Sequence, residues 1–200
     1  MFGLKTLLSR VPYVYERKHG VQAYSSLWFD RRADMLNIVR PGGTGIELGV
    51  AEAGLSSQLL AKGVLGKLYG VDKYEGERGH DEAQYARART RTAGYRDTYT
   101  LLKMSFDEAL ALFPDNSFDF VYVDGYAHTG QENGHTIRTW YRKVRSGGVI
   151  SGDDFSREFP LVMKQVKQFT QDEGLTLNIL AFRNRSDWAS HHPSWLCIKP

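Results

Sequence analysis

The chain has 200 residues, 42% hydrophobic and 24% charged, with a formal net charge of +3, which is ordinary for a soluble globular protein and long enough to bury a core in one domain. A single cysteine, Cys197, excludes an intrachain disulfide, and no apolar run is long enough to span a bilayer. A sequence pI of about 8.9 is mildly basic and does not by itself mark a nucleic-acid binder.

Lack of disulfides fits a reducing compartment, so a cytoplasmic location is expected. The whole chain, 1–200, reads as one domain, with 1–40 as an N-terminal helical arm and 41–200 as the core. Pro12 interrupts the first apolar run before any cleavage-like site, so this start reads as an arm and not a removed leader. Lys5, Arg10, Arg17, Lys18, Arg31, Arg32 and Arg40 make the arm basic. They read as a solvated helix face, with an anionic substrate, an acidic partner or lipid headgroups as alternatives.

From Thr44 onward, short apolar strands alternate with helical stretches. Thr44–Leu48 predicts a strand, followed by a glycine-bearing turn and a helix through Leu59-Leu60. Leu68–Val71 is a second strand ending at Asp72, and Asp81 to Ala93 a helix. Tyr99–Lys103 is a third strand and Phe106–Phe113 a short helix. Phe118–Val123 (FDFVYV) is the clearest strand, ending at Asp124. A helix is expected over Glu132 to Val144, a turn at Ser146-Gly147-Gly148, and a strand from Val149 toward Gly152-Asp153-Asp154. Pro160–Thr170 suits a helix with proline in its first turn. Leu175–Phe182 and Ser194–Ile198 close the chain as strands, with Cys197 a small buried hydrophobe in the second.

This alternation predicts a three-layer α/β sandwich: a mostly parallel sheet covered on both faces, with an antiparallel strand at the C-terminus. In open parallel sheets, ligands bind beyond the carboxyl ends of the strands. Glu47, Asp72, Asp124, Asp153 and Asp154 all fall at or just past such ends and would converge on one crevice.

The turn in GIELGVAEAG lacks the second glycine of the GxGxxG dinucleotide fingerprint. Glu47 and Glu52 place negative charge beside it, which suits a cationic ligand better than a pyrophosphate. IELGVAEAGLSS resembles motif I of the class I S-adenosylmethionine-dependent methyltransferases, with Glu47, Gly49 and Gly54 at the matching positions. LYGVDKYEG resembles the next strand of that family, whose terminal acid, here Asp72, holds the ribose hydroxyls. FDFVYVDGYAH and SGGVISGDDF resemble the later motifs of the metal-dependent branch that includes the macrocin and aminocoumarin sugar O-methyltransferases. The resemblance covers roughly Thr44 to Phe155. It implies a seven-stranded Rossmann-like sheet and a cofactor set of Glu47, Gly49, Gly54, Asp72, Ser105 and Asp124. Two positions depart from the branch: Tyr126 stands where many relatives carry a second acid, and Ala53 replaces a common glycine.

Asp124, Asp153 and Asp154 would repel one another if crowded and ionised together, and a divalent cation would relieve that conflict. Oxygen ligands favour Mg²⁺, Ca²⁺ or Mn²⁺, and in the resembling branch the aligned acids bind Mg²⁺. A helix cap is the alternative for Asp153 or Asp154. Just past Asp124, His128 is the candidate general base, Asp124 its catalytic companion, and a plain surface histidine the alternative. Tyr126, Trp140 and Trp188 are candidate substrate contacts. His135 is expected on the following helix, and His191 and His192 in a loop that could wall the substrate.

The function expected is metal-dependent O-methylation of a small-molecule hydroxyl on a sugar or polyol. An RNA methyltransferase would need a basic groove with stacking aromatics, and no such module is visible. An oxidoreductase is disfavoured by the missing glycine pattern, and a non-catalytic cofactor-binding protein stays open.

Overall fold

The structure is a computed structural model that describes residues 24–29, 31–76, 79–182 and 192–200. Its strands are β1 (Tyr24–Phe29), β2 (Gly43–Leu48), β3 (Leu65–Asp72), β4 (Tyr99–Lys103), β5 (Phe118–Val123), β6 (Val144–Gly152), β7 (Leu177–Phe182) and β8 (Ser194–Ile198). They form one eight-stranded sheet in the order β1-β7-β8-β6-β5-β2-β3-β4. All pairings are parallel except those of β8, which runs antiparallel between β6 and β7.

The expected seven-stranded sheet with its antiparallel C-terminal strand is present. The helical arm needs correction over its described part. Tyr24–Phe29 is an eighth strand, paired in parallel with β7 at the sheet edge, and Arg32–Ile38 is a 3-10 helix. Lys5, Arg10, Arg17 and Lys18 lie outside the described residues. Edge pairing of this kind is a long-range contact, which local pattern does not encode.

Helices cover both faces: α1 (Gly54–Ala61), α2 (Glu82–Arg91), α3 (Phe106–Leu110), α4 (His135–Tyr141) and α5 (Pro160–Asp172). β5 shows why the layers form. All six of its residues are buried, and its side chains alternate between faces. Val121 and Val123 enter one core with Trp140 of α4 and Val162 and Phe169 of α5. Phe120 and Tyr122 enter the other, with Leu59 of α1 and Met35 and Leu36 of the 3-10 helix.

Three local differences from the sequence reading have physical causes. α4 begins at His135, because Gln131, Glu132 and Asn133 all carry positive φ and hold the preceding turn out of a regular helix. β6 begins at Val144, five residues before its predicted start, and its register against β5 shifts between Phe118 and Phe120. Trp140 is not a substrate contact: it is fully buried, 6.3 Å from Phe118 by ring centroids. Cys197 is buried as expected.

Candidate active site

The carboxyl ends of β2, β3, β5 and β6 gather at one edge of the sheet, and the turn after β2 is built against the one after β5. Gly49 adopts φ +93, and a Cβ there would stand 1.8 Å from the backbone oxygen of Asp124. Only glycine permits both the angle and the approach. The Gly49 N–H donates to Val71 O at 2.9 Å and the Asp124 N–H to Leu48 O at 2.7 Å, tying three strand ends together. Gly54, by contrast, opens α1, and a Cβ there would meet nothing nearer than Arg91 Nη1 at 3.7 Å. Ala51 and Ala53 both take left-handed backbone, at φ 48 and φ 60.

Asp72, at the end of β3, braces that turn. Its Oδ2 accepts the N–H groups of Val50 and Ala51 at 3.0 and 2.9 Å, and its Oδ1 accepts that of Tyr74 at 2.9 Å. A carboxylate offers roughly four lone-pair positions, so about one remains for a ligand. The Tyr74 hydroxyl returns to Ala51 O at 2.9 Å. Ser105 lies just past β4, where its hydroxyl accepts from Glu108 N at 3.2 Å and donates to the Glu108 carboxylate at 2.7 Å. This capping box commits the side chain to the start of α3.

Glu47 projects from β2 and is fully buried. The Ser56 hydroxyl donates to its Oε2, and Ser56 also contacts the Tyr99 hydroxyl at 3.0 Å. Burial pushes its carboxyl up to about 8, against the Ser56 hydrogen bond, and nearby Asp124 adds to the rise.

Arg32, which the sequence reading placed on a basic solvated face, is instead buried at 5% exposure among these strand ends. Its Nη2 lies 2.8 Å from Asp153 Oδ2 and its Nη1 3.7 Å from Asp124 Oδ2. Arg32 Nε has no hydrogen-bond partner among the described residues. The other oxygen of Asp153, Oδ1, accepts the Ser194 hydroxyl at 3.2 Å, and Ser194 in turn contacts the Tyr122 hydroxyl at 3.2 Å. Burial raises the carboxyls of Asp124 and Asp153, their mutual repulsion adds to this for Asp124, and Arg32 opposes it. Burial likewise lifts the Asp154 carboxyl to about 7, with Asp124 contributing.

The expected metal set of Asp124, Asp153 and Asp154 stands beside a buried cation, Arg32. Among the described residues, no group of three or more such side chains is arranged to hold a metal ion. The positive charge between Asp124 and Asp153 comes from a guanidinium, and both oxygens of Asp153 already have partners. These residues do not fit a divalent cation. The placing of Arg32 and of Ser194, which both contact Asp153, was missed in the sequence. The available signal was the run of Ala33, Met35 and Leu36 beside Arg32, which marks a segment that buries itself.

His128 sits on an exposed 3-10 turn, Ala127–Thr129, opened by Tyr126 at φ 56. Its ring packs edge-on against Phe159 at 5.4 Å, and Phe159 meets His192 at 5.3 Å. Tyr126 is 43% exposed and packs on Phe106 at 5.1 Å, so it remains available to a substrate. His135 pairs with Asp107 at 3.3 Å on the surface, away from the acid cluster's partners. Trp188 and His191 lie outside the described residues.

The profile of a family described as a methyltransferase domain matches residues 45–155. No curated protein sequence matches the chain. Among solved structures, a precorrin-6y methyltransferase from Geobacter metallireducens aligns with a TM-score of 0.61 at 17% identity, covering 84% of this chain and 88% of that one. A Streptococcus mutans protein described as a methyltransferase, in complex with SAH, gives 0.60 at 12% identity, covering 84% and 95%. A tRNA methyltransferase from Aquifex aeolicus gives 0.57 at 14% identity, covering 84% and 66%. At such identities the likeness is one of fold.

Proposed function

From the premise that the chain belongs to the methyltransferase-domain family and is an S-adenosylmethionine-dependent methyltransferase, we propose that it methylates a hydroxyl of a small molecule, a sugar or other polyol. The observation that carries this reading is the acidic crevice itself. Asp72, Asp124, Asp153 and Asp154 share it with one cation, Arg32, and Glu47, which burial keeps protonated at neutral pH, sits beside them. Such a surface attracts a sulfonium and repels a phosphodiester backbone.

S-adenosylmethionine, when bound, supplies an electrophilic methyl group for in-line displacement. The protein's tasks are to hold it, align the acceptor oxygen behind the methyl, and take up the hydroxyl proton. Gly49 and Gly54 shape the turn and helix start that would receive the amino-acid end, and Glu47 backs it with a carboxyl. Asp72 offers its remaining lone pair to the ribose, and Ser105 bounds the base side of the crevice. Asp124 is assigned to the acceptor side, and His128, on the exposed turn after β5, to taking the proton. Tyr126 offers an exposed aromatic face to a sugar ring. Nothing in this sequence of steps needs a metal.

Incubation with methyl-labelled S-adenosylmethionine and parallel panels of polyols, sugars and RNA tests the reading. Label is expected in the hydroxylated small molecules. Label in RNA would replace the acceptor class, and cofactor binding without transfer to any panel would point to a non-catalytic role.

A further inference from the structure

We propose that Arg32 is a built-in replacement for a divalent cation, and that this active site excludes Mg²⁺ and similar ions. The inference concerns the site of the proposed methyl transfer, but its test does not depend on the acceptor.

Three acids at adjoining strand ends are what an oxygen-ligated cation would use. Here the guanidinium reaches the carboxylates first. Arg32 contacts Oδ2 of both Asp124 and Asp153, so one cation spans the two side chains. An ion bound to those same oxygens would sit within a few ångströms of a permanently charged guanidinium, because arginine does not deprotonate in proteins. Like charges at that separation in a buried site repel strongly. Asp153 cannot turn its other oxygen to an ion without releasing Ser194.

Arg32 also cannot easily withdraw. It begins a 3-10 helix whose Met35 and Leu36 are fully buried in the core below the sheet. The Met35 sulfur accepts the Ser151 hydroxyl of β6 at 3.1 Å. Asp34 accepts the Arg31 N–H at 2.9 Å and pairs with Lys62, just past the end of α1, at 2.6 Å. The segment is thus anchored to β6 and to the end of α1 by the residues that follow Arg32. A buried guanidinium needs anions as much as the anions need it, so the arrangement is mutual: the acids hold Arg32 in place, and Arg32 neutralises them without an ion.

The test is a Mn²⁺ titration of the full chain, with free Mn²⁺ read by electron paramagnetic resonance. The wild-type protein is expected to bind no Mn²⁺ at about 1 mM, the range where even weak oxygen-ligand sites fill, and cofactor affinity is expected to be the same in excess EDTA. Arg32→Met, which keeps the apolar stem and removes the charge, is expected to gain Mn²⁺ affinity by about tenfold or more, with a Tm that rises on adding the ion. Stoichiometric Mn²⁺ binding by the wild type that Asp153→Asn abolishes would overturn the proposal. So would a folded Arg32→Met variant that binds no more Mn²⁺ than the wild type. If Arg32→Met does not fold, the wild-type titration against Asp153→Asn still decides. Because Mn²⁺ occupancy is read without turnover, failure here is distinct from failure to find a hydroxyl acceptor.

Discussion

Gly49 and Asp124 are locked back to back: a single carbon added to Gly49 would fall 1.8 Å from the Asp124 carbonyl oxygen. The turn proposed to receive the cofactor and the strand end that carries the candidate catalytic acid are therefore packed as one piece. Gly49→Ala must displace that carbonyl or the turn, and it also forces a side chain onto φ +93. A loss of about 3 kcal/mol or more is expected, by overpacking plus backbone strain. Gly54→Ala meets only Arg91 Nη1 at 3.7 Å, and should stay within about 0.5 kcal/mol of wild type. Chemical denaturation of the two variants checks the contrast. Equal, small effects would mean that the Gly49–Asp124 approach is not a constraint.

Asp72 is expected to act on stability and cofactor affinity together. Its carboxylate satisfies the N–H groups of Val50, Ala51 and Tyr74, and removing a charged acceptor from buried donors costs about 2–3 kcal/mol. Asp72→Ala should lower Tm and weaken S-adenosylmethionine binding in calorimetry. Asp72→Asn keeps one acceptor oxygen and should fall between. A variant with normal Tm and lost cofactor affinity would assign Asp72 to the ribose alone and remove its bracing role.

His128→Ala should lower kcat roughly 10²–10⁴-fold if the imidazole takes the acceptor proton, the usual range for a positioned acid–base group. Cofactor affinity should barely change, because the ring lies on an exposed turn against Phe159 and not in the glycine turn. His128→Asn can orient a hydroxyl but cannot accept its proton, so it separates the two roles. Near-normal kcat in the alanine variant would pass the proton-accepting role to Asp124.

Much of this site could be read from sequence because strand ends are locally encoded. FDFVYV and the Tyr99–Lys103 strand have the predicted bounds, and an acid that follows a buried parallel strand must emerge at the carboxyl edge of the sheet. Glu47, Asp72, Asp124 and Asp153 converge for that reason. Arg32 was not legible in the same way. Its position depends on how a 3-10 segment packs beneath β6, a contact between residues far apart in the chain, as with Met35 and Ser151. A basic stretch read alone suggests solvent, and only the tertiary fold turns one of its arginines inward. The pairing of Tyr24–Phe29 with β7 escaped for the same cause. Ser105, expected in the cofactor set, forms a capping box with Glu108, and the S-x-x-E pattern for it stands in the sequence.

Glu47 should make the protein's stability depend on pH in a direction opposite to that of a salt-bridged carboxylate. Burial raises its carboxyl from 4.5 to about 8, while the Ser56 hydrogen bond and the Arg32 charge pull down and Asp124 and Asp72 push up. In the folded protein it holds its proton at neutral pH; in the unfolded chain it does not. Between about pH 4.5 and 8 the folded state therefore binds more protons, and stability falls as pH rises through that window. Below it the full contribution is present, and above it the loss is complete. The fully buried shift corresponds to a change on the order of 5 kcal/mol across the window. Asp124, Asp153 and Asp154 titrate nearby, so the wild-type curve alone would mix their effects. Glu47→Gln isolates one of them, because the amide oxygen can still accept from Ser56 but carries no ionisable proton. The variant should match the wild type in Tm near pH 5 and exceed it progressively toward pH 9. A Tm difference that stays flat over that range would mean that Glu47 is ionised in the fold at neutral pH, held by Arg32 more strongly than burial opposes it.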